Sequence, residues 1–178
     1  MIVTSVGTAI WIYSFSAATP WEVFENSERW VLVDGFVQRP LNLTLNKLKA
    51  MSKTTVYAEL ICVGSPTKII AKGNWTGVRL GFILEQAGIK PEAIKVFFYA
   101  KDGYTTDLDI KTAMREDVII AYERDGVPLP EQTCLIVPGK WGYKWIREIT
   151  HIELVNYNAL GTWESSGFSD TAEISEES

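Results

Sequence analysis

Short strand-like segments dominate this chain and restrict the folds that it can form. Runs rich in β-branched and aromatic residues recur along the sequence, and glycine, proline or aspartate follows most of them. These predicted strands cover residues 30–37, 57–63, 94–100, 118–123, 135–137 and 149–157. Helical periodicity is confined to short stretches, so the pattern predicts one α+β domain in which strands outnumber helices.

Three short helices are predicted from capping residues and from apolar periodicity. Thr44 caps a helix over 45–51, Gly88 closes an amphipathic helix over 79–87, and Asp109 caps a helix through Met114. Neither an internal repeat nor a linker interrupts the series. The helices therefore belong to the same domain as the strands.

Composition supports a folded domain and argues against one class of partner. The chain has 178 residues, 47% of them hydrophobic, which is enough to bury a core. The formal net charge is -5, but the residues after position 158 carry five acids and no base, so the remainder is balanced. General nucleic-acid binding requires a net basic face, and we expect no nucleic-acid partner.

The two ends of the chain differ from its middle. The first twenty residues carry no charged side chain, which is typical of a signal or anchor segment, although no basic region precedes the run. We divide the chain into an apolar arm over 1–19, a domain over 20–172 and an acidic tail over 173–178. The arm favours an exported or membrane-associated protein over a cytoplasmic one, with membrane association through this segment.

Cys62 ends an apolar strand and precedes the turn Gly64-Ser65-Pro66. A thiol at a strand end lies at a sheet edge, where loops build sites, and a thiolate there can be a soft metal ligand or a nucleophile. Free cysteine is also among the most buried residue types, so a packing role is the alternative. From the local sequence, both interpretations remain open.

The cysteine and histidine content limits other chemistry. Cys62 and Cys134 are the only cysteines, so a disulfide framework is excluded while a single bridge stays open. His151 is the only histidine and lies in the last predicted strand, where we expect it to face outward. A structural zinc site and a histidine-dependent triad are therefore poorly supported.

Two further segments have compositions that suit ligand binding. In Gly73-Asn74-Trp75-Thr76-Gly77-Val78, glycines would let backbone amides approach a ligand. In the segment 138–147, Lys140, Lys144 and Arg147 lie among three aromatic residues and two glycines, which suits an anionic, flat ligand. An aromatic loop whose lysines point into water is the equally supported alternative.

The order of these segments resembles a known family. WVLVDGFVQRP, Cys62 with Gly64, WTGVRLGFILEQAG, KDGYTTDL, EDVIIAYERDGVPLP, LIVPGKWGYKWI and LGTWESSGFSDTA occur in the sequence. Together they are similar to the molybdopterin-dependent oxidoreductase domain of the sulfite oxidase family, over roughly residues 20–172. The resemblance implies a sulfite-oxidase-like α+β fold with mixed sheets and short helices.

The resemblance also implies a cofactor and its ligands. In the family a cysteine after a strand binds molybdenum, and Cys62 matches it. A lysine of the glycine-aromatic-lysine segment binds the anionic pterin end, and Lys144 matches it. The full set of cofactor-binding residues implied in this way is Asn26, Cys62, Gly64, Trp75, Lys140, Gly142 and Lys144. The implied catalytic residues are Cys62, Asp102 and Tyr104.

Several positions depart from the family pattern. The arginine and histidine that usually flank the asparagine are Glu25 and Ser27 here. The usual His-Gly-x-Pro-x-Arg segment is replaced by residues 129–134, with Cys134 roughly at the place of the arginine. Each lost charge-assisted hydrogen bond is worth about 1.5–3 kcal/mol. A molybdopterin without a nucleotide is therefore favoured over the dinucleotide form.

Two functions follow from this comparison. The first is a molybdenum oxidoreductase that carries out two-electron oxygen-atom or electron transfer on a small oxyanion or a sulfoxide-type substrate. Its electron-transfer partner is expected to be a separate protein, because the resemblance extends over one domain. The second is a non-catalytic member that keeps the fold as a binding module without molybdenum.

Overall fold

The computed structural model describes residues 30–174. The strands are β1 Trp30–Gly35, β2 Leu41–Thr44, β3 Thr54–Cys62, β4 Ser65–Arg79, β5 Lys95–Ala100, β6 Thr105–Asp109, β7 Ile119–Arg124, β8 Val127–Pro128, β9 Cys134–Ile136 and β10 Ile149–Val155. The α-helices are α1 Leu45–Ala50, α2 Leu80–Ala87 and α3 Ile110–Ala113. Two 3₁₀ helices cover Gly142–Lys144 and Glu164–Ser166.

The strands form two five-stranded sheets. The first has the order β2-β1-β10-β5-β6, in which β1 and β10 are parallel and the other neighbours are antiparallel. The second has the order β3-β4-β7-β8, and β9 also pairs with β7. Mixed sheets with short helices confirm the predicted fold class.

One hydrophobic core joins the two sheets. Val33, Phe98 and Ile152 of the first sheet and Val78 and Ile120 of the second are all fully buried in the same cluster. The helix α2 closes it with its apolar face, because Leu80, Ile83, Leu84 and Ala87 are at the predicted positions and fully buried. Each such side chain contributes on the order of 1.5–3 kcal/mol relative to an exposed one.

The predicted helix ends are confirmed by their caps. The Thr44 hydroxyl accepts the Lys47 N–H at 3.1 Å, and an Asp109 carboxylate oxygen accepts the Thr112 N–H at 2.9 Å. Gly88 ends α2 with a positive φ of 74°.

The segment 73–78 is not a loop. It lies within β4, which runs for 15 residues and pairs with both β3 and β7. A Cβ on Gly77 would lie 2.0 Å from the Ile120 carbonyl oxygen, and one on Gly73 would lie 2.4 Å from an Asp125 carboxylate oxygen. These glycines therefore allow the protein's own strand and turn to approach, and the expectation that they admit a ligand is corrected.

The two ends of the chain are only partly described. The predicted arm 1–19 lies outside the described residues. Glu173, which the sequence assigns to the tail, instead pairs with Lys140 across an antiparallel bridge. Within the described part of the chain, no helix is long and apolar enough to cross a membrane.

Candidate functional site

A cavity of about 780 Å³ opens between residues of both sheets. Its walls include Leu60 and Cys62 of β3, Trp75 of β4, and Ala100 at the end of β5. Sites for small molecules and cofactors typically have volumes of about 300–1,000 Å³. The cavity is therefore large enough for a cofactor.

Cys62 lies on the wall of this cavity with a half-buried, free thiol. It is the last residue of β3 and pairs with Ser65 across the turn that starts β4. A Cβ on Gly64 would lie 4.0 Å from Cys62 Sγ, so a longer side chain there would compete for the space beside the sulfur. Cys62 and Gly64 thus meet at the cavity as the sequence predicts.

Gly142 brings the segment 138–147 against the strand that carries Cys62. A Cβ at this position would lie 2.9 Å from the Ile61 carbonyl oxygen, which is closer than real Cβ atoms approach. The glycine therefore lets the 3₁₀ helix Gly142–Lys144 rest on the end of β3. As a result, Gly142 and Tyr143 line the cavity beside Cys62.

Arg124 and Arg147 supply the positive charge of the cavity wall. The guanidinium of Arg124 lies 5.3 Å from the centroid of the Trp75 ring, a cation–π distance. Trp75 is itself buried and donates its indole N–H to the Ala58 carbonyl at 3.2 Å, so the platform beneath Arg124 is fixed. Guanidinium groups bind phosphate through two parallel hydrogen bonds.

Carboxylates also line this cavity. Asp102, Glu131 and Glu148 lie on its wall together with the two arginines. The charged side chains of the described wall therefore carry two positive and three negative charges. The described wall thus has no net positive charge.

Three aromatic rings, here called the aromatic wall, form another side of the cavity: Tyr143, Trp163 and Phe168. The Trp163 and Phe168 rings meet edge to face at 4.7 Å, and Tyr143 lies 5.8 Å from Phe168 and 6.2 Å from Trp163. Burial raises the pKa of Tyr143 to about 12, so its phenol stays neutral at physiological pH.

The predicted catalytic residues Asp102 and Tyr104 both lie at the cavity. An Asp102 carboxylate oxygen accepts the Tyr104 backbone N–H at 3.0 Å. The Tyr104 hydroxyl donates to the Tyr143 carbonyl oxygen, and burial raises its pKa. Tyr104 therefore holds its proton in a hydrogen bond with the backbone and presents a neutral phenol.

The structure does not bring Lys144 to the cavity wall. Its side chain is 1% exposed, and Nζ contacts a Glu164 carboxylate oxygen at 2.6 Å and an Asp107 carboxylate oxygen at 3.2 Å. It also donates to the Asp107 carbonyl at 3.0 Å. Internal carboxylates bind this ammonium, which accounts for its position away from the cavity wall.

Lys140 is also directed away from the cavity. Its Nζ donates to the Thr171 carbonyl at 2.7 Å and to a Glu173 carboxylate at 2.6 Å. Both lysines of the segment therefore bind the C-terminal part of the chain.

Lys144 belongs to a group of charged residues, here called the ionic cluster. Four of them, Lys95, Asp107, Lys144 and Glu164, are buried, and the fifth, Asp170, has a side chain that is 40% exposed. Lys95 Nζ contacts an Asp107 oxygen at 2.7 Å and an Asp170 oxygen at 2.8 Å. Burial raises the pKa of Asp107. For Asp170, burial is outweighed by the hydrogen bond from Lys95 and by the charges of Lys95 and Lys144, which lower its pKa. Glu164 Oε2 is buried without a hydrogen-bond partner.

Cys134 lines the cavity as a buried, neutral thiol. Burial, followed by the charge of Glu131, raises its pKa to about 12. Both cysteines are free, so the bridge that the sequence left open is absent from this structure.

Arg124 was not predicted as a site residue, and Asn26 lies outside the described residues. Arg147 belongs to the basic segment 138–147 that the sequence analysis singled out for an anionic ligand, and it lies on the cavity wall. The strand β1 runs parallel to β10, whose first residue follows Arg147 and Glu148 of the cavity wall. The chain therefore enters β1, four residues after Asn26, at the cavity end of the sheet.

Other metal chemistry finds no support in residues 30–174. No group of three or more histidine, cysteine, aspartate and glutamate side chains could hold a metal ion there. His151 is partly exposed, contacts an Asp34 carboxylate at 2.6 Å and stacks on Tyr99. A metal at this cavity would therefore depend on Cys62 and on ligands from a cofactor.

A family model for the oxidoreductase molybdopterin binding domain matches residues 18–163. The chain belongs to this family. The Bacillus subtilis protein described as uncharacterized oxidoreductase YuiH is 29% identical over 153 residues, which are 82% of this chain and 75% of that protein. A putative protein-methionine-sulfoxide reductase subunit, YedZ1 of Azospira oryzae, is 30% identical and aligns with 76% of this chain, which spans about half (52%) of that relative.

A solved structure shares the family fold. The sulfane dehydrogenase SoxCD from Paracoccus pantotrophus superposes with a TM-score of 0.67 at 21% identity, covering 72% of this chain and 38% of that one. The sulfite-oxidase-like fold is therefore confirmed. The family is one of molybdopterin-dependent oxidoreductases, which makes a molybdenum cofactor the group to test against the cavity.

Proposed function

We propose that this domain holds a molybdenum cofactor through Cys62 and reduces a neutral sulfoxide-type substrate. The observation that carries the proposal is the half-buried Cys62 thiol on the wall of a cavity of about 780 Å³. A thiolate is a soft donor that suits a redox-active metal already bound by dithiolene sulfur. When bound, the cofactor supplies a metal centre that exchanges two electrons and an oxygen atom with the substrate.

The residues of the cavity fit such a group. Cys62 would supply the protein sulfur ligand, and Arg147 and Arg124 would hold the phosphate of the pterin. Gly64 leaves the space beside the sulfur open, and Gly142 lets the segment 138–147 approach the end of β3. The form without a nucleotide remains our proposal, because two arginines provide few contacts for a longer anionic group.

A sulfoxide-type substrate fits better than a small oxyanion. The described wall carries three carboxylates against two arginines, which the cofactor's phosphate would engage. The aromatic wall offers polarisable surface to an organic sulfur group. The reaction consumes two electrons and two protons, breaks the S–O bond, and releases a thioether and water.

The electron donor in this proposal is a separate protein. The name of the Azospira oryzae relative describes a subunit, which agrees with an assembled system. We also propose export or membrane association through residues 1–19, because these residues carry no charged side chain.

The test is cofactor content followed by activity. Protein from a molybdenum-replete host should contain one molybdenum per chain, Cys62→Ala should contain little, and the control Cys134→Ala should keep it. The wild type should then reduce methionine sulfoxide with reduced viologen dye as the electron donor. This reaction should be faster than the oxidation of sulfite by the same protein with an oxidised dye as the electron acceptor. Molybdenum-free wild type would favour the non-catalytic binding module instead.

A further inference from the structure

Two rings of the aromatic wall, those of Trp163 and Phe168, are only partly buried, whereas Tyr143 is buried. Trp163 and Phe168 remain 40% and 38% exposed, so their burial gives only part of the stabilisation of a core residue. They lie on the irregular segment 159–170, where the one regular element is a single 3₁₀ turn. Some other interaction must fix the position of these rings.

Each ring of the aromatic wall lies one or two residues before a member of the ionic cluster in the sequence. Tyr143 precedes Lys144, Trp163 precedes Glu164, and Phe168 is two residues before Asp170. Lys144 and Glu164 are in contact at 2.6 Å, which ties Tyr143 to Trp163. Lys95 contacts both carboxylate oxygens of Asp170 at 2.8 Å, which ties the Phe168 segment to β5.

Two hydrogen bonds from hydroxyl donors complete the attachment. The Thr106 hydroxyl donates to Glu164 Oε1 at 3.0 Å, and the Tyr143 hydroxyl donates to the Ser169 carbonyl at 2.6 Å. Burying a charged group is costly unless its partners have good geometry. The side chains of such a cluster therefore have few alternative arrangements.

We infer that the ionic cluster positions the aromatic wall and thereby sets the shape of the cavity on the substrate side. Lys144, Glu164 and Asp170 are then positioning residues that act through Tyr143, Trp163 and Phe168. The inference rests on the proposed function only in taking the Cys62 cavity as the site. It assigns Lys144 a role other than the phosphate contact implied by resemblance.

The first test observes the aromatic wall without cofactor. Protein labelled with 5-fluorotryptophan is produced in molybdenum-free medium, and Trp163→Phe identifies the Trp163 signal in the ¹⁹F NMR spectrum. Asp170→Asn and Glu164→Gln should shift or broaden that signal and leave the buried Trp75 signal in place. Glu173→Gln is the matched control, because it removes an ion pair of the same C-terminal segment outside the cluster.

The second test uses loaded protein and separates binding from chemistry. Asp170→Asn should raise the KM for methionine sulfoxide about tenfold with a smaller change in kcat, since displaced binding groups can cost one to two orders of magnitude. Asp170→Glu, which keeps the charge, should recover most of this loss.

The outcomes separate the inference from the proposed function. A Trp163 signal unchanged in both cluster variants, each folded by circular dichroism, would overturn the inference. If Asp170→Asn does not fold but Asp170→Glu does, a Trp163 signal of Asp170→Glu at the wild-type position would support the inference. A displaced Trp163 signal in a protein that never binds molybdenum would support the inference while the proposed function fails.

Discussion

Replacing Lys144 by methionine distinguishes a structural lysine from a cofactor ligand. Methionine keeps most of the side-chain volume but removes the ammonium that contacts Glu164 at 2.6 Å and Asp107 at 3.2 Å. Asp107 retains Lys95, whereas Glu164 retains only the Thr106 hydroxyl at 3.0 Å. A fully buried carboxylate would thus lose its cation.

The expected cost is large compared with the stability of a domain. Removing one partner of a buried ion pair costs about 3–5 kcal/mol, and domains are stable by about 5–15 kcal/mol. We therefore expect Lys144→Met to fold but to lose a large part of its free energy of unfolding. Glu164→Gln combined with Lys144→Met should recover about 2 kcal/mol, because no unpaired charge then remains at this position.

The measurement is urea unfolding of cofactor-free protein followed by circular dichroism. Lys140→Met is the matched control, since its side chain is 4% exposed but its partner Glu173 is 63% exposed and can return to water. We expect that control to lose only about 1 kcal/mol. Equal unfolding midpoints for the two variants would refute the reasoning and return Lys144 to the set of candidate phosphate ligands.

Three further predictions test the cavity and the sheet. Arg147→Gln should lower molybdenum content with little change in the stability of cofactor-free protein, as measured by metal analysis and urea unfolding; a full molybdenum content would exclude Arg147 as an anchor. Cys134 keeps its proton in the folded state, where the pKa of its thiol is about 12. In the unfolded state the thiol has its ordinary pKa of 9.0 and ionises above that pH. The wild type should therefore lose about 2–3 kcal/mol of stability between pH 9 and 11 that Cys134→Ala does not lose. Gly77→Ala should destabilise the protein by at least about 2 kcal/mol in thermal unfolding, since its Cβ would lie 2.0 Å from the Ile120 carbonyl; a smaller loss than in Gly81→Ala, where the nearest atom is 3.4 Å away, would contradict this.

Local signals predicted the three described α-helices and six of the ten described strands, but not β2, β4, β6 or β8. Thr44, Gly88 and Asp109 marked helix ends correctly, because capping depends on hydrogen bonds within a few residues. The strand β4 was not predicted, and two glycines lie in its second half. Glycine is required at these positions because the neighbouring strand β7 and the turn after it approach closely, and no local pattern reveals that approach.

The candidate site was predicted in part for the same reason. Cys62, Gly64, Trp75, Asp102, Tyr104 and Gly142 do meet at one cavity. Lys144 does not, because its partners Asp107, Glu164 and Asp170 lie between 20 and 37 residues away in the sequence. Which of two nearby cations faces a ligand depends on where distant carboxylates fold.

The segment 138–147 therefore divides its positive charges between two tasks. Lys140 and Lys144 neutralise carboxylates of the C-terminal part of the chain, while Arg147 remains at the cavity. The same segment carries Tyr143, so a change in the ionic cluster is transmitted to the aromatic wall through one peptide bond. The Lys144 ammonium contacts Asp107 and Glu164 inside the protein, and in our proposal it holds in place the wall against which a substrate binds.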